Sequence, residues 1–185
     1  MLFRSDFMRV AFIVVTALTL CASIAQAEHH ASGTHVTGAV IGSSISEDGS
    51  THPLTAGDTA KQQIWLEYIT AHNERDLEKI AVINADDWEG YTPDGAVING
   101  NKTHIAWLDA WFKSGDNPRW VVKWMIASSG VNAEGATEHW LTTGNDITFN
   151  DAEGNSVTEH HVHDVQFIGD QIKQIYVYSR PQVSE

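Results

Sequence analysis

Three things are scarce in this 185-residue chain: cysteine, positive charge and long apolar runs. There is one cysteine, Cys21, and there are 11 Lys and Arg against 24 Asp and Glu, a net charge of −13. The shortage of cations excludes a nucleic-acid binder, which needs a basic footprint to meet phosphates. Anionic membranes and phosphorylated polymers are poor partners for the same reason. The longest apolar run, residues 10–20, is about half of the ~20 residues that cross a bilayer as a permanent helix.

That run sits in a segment with the three parts of a secretory signal. Arg4 and Arg9 give a positive start, residues 10–20 an apolar middle, and Ala25, Gln26 and Ala27 a small-x-small cleavage site. Cys21 does not serve as a lipid attachment site, because Leu20 stands where that processing wants a small side chain. Residues 1–27 are therefore expected to be a cleaved signal rather than an uncleaved anchor. The mature protein is expected in the periplasm or outside the cell, with no stable membrane anchor. Removal of the signal leaves 158 residues with 23 acidic and 9 basic side chains and no cysteine. A disulfide-stapled module, a thiolate enzyme and a Cys-ligated zinc site are thereby excluded, and the length suits one domain.

Residues 28–57 are rich in Gly, Ser, Thr and His, with no sustained period, and read as a flexible leader. His29, His30, His35 and His52 lie in it, either solvated or as a metal-scavenging tail. Structure is expected from residue 58. Thr55 and Asp58 suggest a capping box, and Ile64, Trp65, Tyr68, Ile69 and His72 follow helical spacing up to about Asn73. Asp76 caps a second, shorter helix carrying Leu77, Ile80, Ala81 and Ile83. Residues 88–92 and 96–98 read as short strands around the turn Pro93-Asp94-Gly95. Asn101 is expected to cap a third helix with the stripe Ile105, Leu108, Trp111 and Phe112. Strands follow at residues 120–128, 137–149, 157–168 and 171–179, the last two joined by a tight turn at Gly169-Asp170. Helices first and an antiparallel meander after them give an α+β fold, with about three N-terminal helices packed on a curved, mainly antiparallel sheet.

Three segments together resemble a known family. They are the tryptophan-bearing first helix, the run Tyr91-Thr92-Pro93-Asp94-Gly95 followed by Ile98-Asn99-Gly100, and the hairpin from Val165 to Ile172. The layout is similar to that of the SnoaL-like proteins of the nuclear transport factor 2 and ketosteroid isomerase-like superfamily, over residues 58–181. The resemblance implies a cone-like fold with a deep pocket between the concave sheet and the helices. It also implies small-molecule chemistry (isomerases, cyclases, epoxide hydrolases, dehydratases) or a non-catalytic domain, and dimerisation through the sheet. Ketosteroid isomerases carry an aspartate base just before the proline of that turn. Here the position is Thr92, whose hydroxyl cannot accept a carbon-bound proton at neutral pH. Asp94 reads as a turn cap, and no Asp-Arg-Asp set of the limonene-epoxide hydrolase kind is discernible.

The segment Thr158-Glu159-His160-His161-Val162-His163-Asp164 is the most suggestive chemically. On a strand, Glu159, His161 and His163 share one face, continued by Val157, Val165 and Phe167, and that more apolar face is expected to be concave. His163, with His161, suits general acid–base work. The pair with Glu159 could instead hold a metal, or simply orient a ligand. His139 and Glu138 on the preceding strand are candidates for the same pocket. His72 and His104 read as surface or satisfied core residues, and Asp86 and Asp87 as a solvated loop. All seven tryptophans lie between Trp65 and Trp140. A pocket lined by Trp65, Tyr68, Tyr91, Trp107, Trp111 and Trp124, with Tyr176 beside them, would favour a flat or apolar molecule.

The reading that follows is an exported domain that binds a small, largely apolar molecule. Catalysis by proton transfer, hydration or isomerisation would fall to His163, His161 and Tyr91. No cofactor or resident metal is required, and the expected partners are the ligand and a second copy of the chain. The alternatives are a non-catalytic dimeric carrier of the same fold and a His-based metal-binding protein.

Overall fold

The computed structural model describes residues 38–181; the signal expected at residues 1–27 and the leader histidines His29, His30 and His35 lie outside them. Eleven elements follow in order: β1 (Val40–Ile45), β2 (Thr51–Ala56), α1 (Ala60–Glu74), α2 (Leu77–Ile83), β3 (Asn84–Tyr91), β4 (Val97–Asn99), α3 (Asn101–Phe112), β5 (Arg119–Val131), β6 (Thr137–Asn150), β7 (Ser156–Ile168) and β8 (Gln171–Pro181). The strands form one sheet in the order β1-β2-β5-β6-β7-β8-β3-β4. All neighbours are antiparallel except β3 and β8. The α+β architecture expected from the element order is the one observed.

The flexible leader is corrected over its second half. Val40–Ile45 and Thr51–Ala56 form a hairpin that extends the sheet, with Thr55 opposite Ser129 and Ala56 opposite Ser128 on β5. These strands bury little besides Thr55, and β1 is exposed almost throughout. Backbone pairing to the free edge of β5 supplies their stability, and composition does not encode that.

α1 turns Trp65, Tyr68, Ile69 and His72 to one face, the i, i+3, i+4, i+7 stripe of a core-facing helix, and all four are buried. Its first turn is tied down by buried Lys61, whose Nζ donates to Gly169 O at 2.7 Å and meets Asp170 Oδ1 at 3.0 Å at the β7–β8 turn. Its end is left-handed at Arg75 (φ 63°), a conformation that favours glycine. The arginine's other contacts offset that: Nη1 donates to His72 O at 2.7 Å, Nη2 to Pro118 O at 2.6 Å, and the guanidinium covers the Phe112 ring at 4.4 Å. Asp76 caps α2 as expected, its Oδ1 accepting from Lys79 N at 2.9 Å.

Two expected caps are different. Thr55 belongs to β2, and Asp58 alone serves the α1 start, accepting from Ala60 N at 2.8 Å. Gly100 takes the α3 cap position, and Asn101 is the first helical residue. Asn101 instead ties α3 to α2, donating from Nδ2 to Ala81 O at 2.8 Å. The helices lie against the sheet face that carries Leu141, Ile147, Val165, Phe167, Ile172 and Ile175, and the core forms there.

Candidate active site

The helices do not fill the concavity. A cavity of about 490 Å³ remains between α1, α3, the β3–β4 turn and the inner face of the sheet. Its wall is mostly aromatic and aliphatic, and among the described residues no lysine or arginine lines it. Residues from every neighbouring element reach it: Trp65, Tyr68 and His72 from α1, His104, Trp107 and Trp111 from α3, Trp88 and Tyr91 from β3, Trp120 from β5, His161 and His163 from β7. Gly90 keeps the wall open at one point, since a side chain there would collide with the buried Trp88 indole.

Of the residues expected in the site, Trp65, Tyr68, Tyr91, Trp107, Trp111, His161 and His163 line this cavity. Three do not. Strict alternation would put Trp124 on the inner face with Trp120 and Val122. The β5–β6 register instead shifts between Val122 and Trp124, which opposes Trp124 to Gly144 and places it on the outer face, 44% exposed. Tyr176 sits between the lining residues Ile175 and Val177, so alternation turns it outward, where it stacks on Tyr91 at 4.4 Å. His139 lies beyond the cavity towards the β5–β6 turn, its Nδ1 3.0 Å from Ser129 Oγ.

His72 and His104, read as surface or satisfied core residues, are buried cavity-wall residues. The signal was present in both helices: each shares the stripe of its aromatic neighbours, Tyr68 for His72 and Trp111 for His104. Asp86 and Asp87 belong to β3, exposed within its register shift, and Asp87 pairs with Lys173. Asp94 caps its turn as expected, accepting from Ala96 N at 3.3 Å and engaging Thr92 Oγ1.

Burial governs the wall's electrostatics. It drives the His163 pKa down to about 3, with nearby His161 and His72 adding to the effect. It lowers His72 to about 4, against the Tyr68 carbonyl that favours its cation, and His104 to about 3. All three are neutral at pH 7. His72 Nδ1 is 2.8 Å from Tyr68 O, so that nitrogen carries the proton. His104 Nδ1 takes the Asn84 amide at 3.0 Å and stacks on Trp88 at 3.9 Å between ring centres.

His161 Nε2 stands 3.0 Å from Glu159 Oε2, and His163 Nε2 stands 3.5 Å from His161 Nδ1. The remaining nitrogen of His163 is buried without a partner, as are Tyr68 Oη and Trp88 Nε1 in the same wall. Burial raises the Tyr68 hydroxyl well above its ordinary pKa. Tyr91 reaches the cavity rim, but it pairs with Tyr176 and turns its ring outward with it; its hydroxyl donates to Glu89 Oε2 at 2.9 Å, and that carboxylate pushes it up to about 12.

Such a wall can seat an uncharged molecule, polarise a hydroxyl or carbonyl on it, and accept a proton from it. An anion would be buried with no counter-charge. Among the described residues no group of three or more His, Cys, Asp or Glu is arranged to hold a metal ion. Both ring nitrogens of His161 are engaged, Nε2 with Glu159 and Nδ1 with His163.

No family model matches the chain, and no curated protein matches its sequence. Solved structures do resemble it. A candidate ketosteroid isomerase from Kribbella flavida superposes with a TM-score of 0.53 at 12% identity, over 68% of this chain and 81% of its own. An LEH-like epoxide hydrolase from M. tuberculosis gives 0.53 at 12%, over 66% and 79%. A candidate SnoaL-like polyketide cyclase from Jannaschia sp. gives 0.53 at 13%, over 66% and 86%. This chain has the SnoaL-like, nuclear transport factor 2-like fold. In this chain the turn before β4 carries Thr92 and a capping Asp94, and the titratable groups buried in the wall are Tyr68 and the imidazoles of His72, His104 and His163.

Proposed function

We propose that this protein is an exported SnoaL-like domain that takes a small, uncharged, largely apolar molecule into its cavity. It acts on that molecule by proton transfer, in an isomerisation, hydration or elimination, with His163 as proton acceptor and His161 behind it. The observation that carries the reading is the cavity itself: about 490 Å³, walled by aromatics, without a cation, and holding buried neutral imidazoles. That volume suits a drug-sized or smaller ligand. Export rests on the signal pattern of residues 1–27. A homodimer through the outer face of the sheet is supported by Trp124, Ile126 and Tyr178, which stand 44%, 53% and 57% exposed there.

Mass spectrometry of the folded protein under native conditions tests the binding claim. A co-purifying neutral compound released on denaturation is the expected result, and a bound anion or metal would overturn it. His163→Ala should abolish conversion in a screen of isomerase and hydrolase substrates, and unchanged conversion removes His163 from the chemistry. A carrier role for the same cavity is the second reading. It is favoured by the burial that leaves His163 with a pKa of about 3, because so weak a base works poorly alone.

A further inference from the structure

We propose that Glu159 is a positioning residue for His163, acting through His161. The three side chains form a carboxylate–imidazole–imidazole relay along one face of β7, holding the His163 proton on Nε2 and its lone pair on Nδ1. The relay rests on the reading of His163 as the cavity's proton acceptor and gives that group an outlet for the proton.

Alternate residues of a strand project to one side, which lines up Glu159, His161 and His163. An ionised carboxylate can only accept hydrogen bonds, so the 3.0 Å contact places a proton on His161 Nε2. A neutral imidazole carries one N–H, and His161 Nδ1 is then an acceptor. His163 Nε2 faces that acceptor at 3.5 Å, and two bare nitrogens would repel there, so Nε2 of His163 donates. Elimination leaves Nδ1 of His163 as the lone pair, in a residue that lines the cavity, with no protein partner. Nδ1 touches no solvent, and the relay requires the wall beside it to yield to a ligand. The relay is closed at one end and open at the other: His163 is 6% exposed, the His161 side chain 11% and the Glu159 side chain 32%.

The proton steps balance without an added reagent. A ligand bond to hydrogen breaks, the ligand keeps the electron pair, and Nδ1 of His163 takes the proton. The Nε2 proton of His163 passes to Nδ1 of His161, and the Nε2 proton of His161 passes to Oε2 of Glu159. Both imidazoles finish neutral in the opposite tautomer, and the negative charge passes from Glu159 to the ligand, where the unpartnered Tyr68 hydroxyl and Trp88 indole N–H of the same wall are the groups that can donate to it. The carboxyl group that receives the proton is the member of the chain in contact with solvent. Return of a proton to a different ligand atom runs the shifts backwards. The relay thus spares His163 the buried imidazolium that it would form alone.

Imidazole 15N NMR of the full-length protein at neutral pH reads the arrangement directly. The expected wild-type result is a single His163 tautomer, protonated at Nε2 and bare at Nδ1, with His161 in the same state. Glu159→Gln, whose carboxamide can donate as well as accept, should convert this to a mixture, and Glu159→Ala should do the same. A wild-type His163 protonated at Nδ1, or a tautomer unchanged in both variants, overturns the relay. Failure of the catalytic reading looks different: His163→Ala would leave conversion unchanged while the wild-type tautomers stayed as described.

Discussion

Strand β7 carries two histidines next to each other in sequence and opposite in circumstance. His161 faces the cavity, in line with His163, while His160 faces outward, its Nδ1 2.7 Å from Asp146 Oδ1 with Lys123 3.2 Å from the other carboxylate oxygen. The outer pair is a solvated ion-pair cluster at the surface of the sheet. The inner pair has lost its water and gained a chain of defined hydrogen bonds ending in an unpartnered nitrogen. One residue of displacement therefore separates a hydrogen-bonded surface histidine from a candidate catalytic group. Dielectric surroundings, rather than residue type, make the difference.

The largest expected effect separates the inner histidines from everything outside. His163, His72 and His104 have folded-state pKa values of about 3, 4 and 3, below the 6.5 of an unfolded histidine. In that window the unfolded chain binds more protons than the folded one, so stability is fully present above pH 6.5 and is lost as pH falls towards the folded values. Between pH 6.5 and 5 each histidine should remove on the order of 2 kcal/mol, from 1.36 kcal/mol per unit. Denaturant titrations at pH 7 and pH 5 measure the loss. A His72→Leu variant should flatten the slope by about a third, and an unchanged slope would mean that these rings are protonated in the folded state.

Tryptophans on the two faces sharpen the contrast. Trp65 is 1% exposed and its Nε1 reaches Asn145 Oδ1 at 3.4 Å. Trp65→Ala should cost about 3–5 kcal/mol in equilibrium unfolding. Trp124→Ala, on the outer face, should cost about 1 kcal/mol or less at concentrations where the protein is monomeric. The glycines beneath the indoles should follow the same rule. Gly90→Ala would press a methyl group into buried Trp88, destabilising by about 1–3 kcal/mol. Gly144→Ala meets the indole of Trp124, which has solvent to swing into, and should be milder.

How far the sequence reached follows the same division. The faces of β7 were legible because alternation runs unbroken from Ser156 to Phe167, and each residue's side follows from its neighbour's. The face of Trp124 was not, because the extra residue at Lys123 reverses alternation, and a bulge leaves no mark that Val122, Lys123 and Trp124 display. Tyr176 was legible from Ile175 and Val177 had alternation been applied to β8. His72 and His104 were visible on their aromatic stripes, but burial deep enough to neutralise them depends on helices packing over the sheet. The β1–β2 hairpin was beyond reach: Gly42, Ser43 and Ser44 offer no apolar face, and the partner edge lies more than 70 residues away, as the Thr55–Ser129 pairing shows.

The smallest expected effect lies at the outer end of the comparison. Asp146 meets His160 and Lys123 where water reaches all three, and its carboxyl is held below the usual carboxylate range by the His160 ring, with Lys123 adding to it. Burial opposes that shift, the Asp146 side chain being 24% exposed, and ion pairs that water reaches contribute between about 0 and 1 kcal/mol. Asp146→Asn should therefore change the unfolding free energy by less than about 1 kcal/mol, and what change there is should shrink in high salt. Denaturation of wild type and variant at low and high ionic strength checks both statements. A large, salt-independent loss would mean that the outer face of β7 is covered in solution. The contrast between the two histidine environments would then vanish, and dimerisation through that face would be the explanation to pursue by sedimentation.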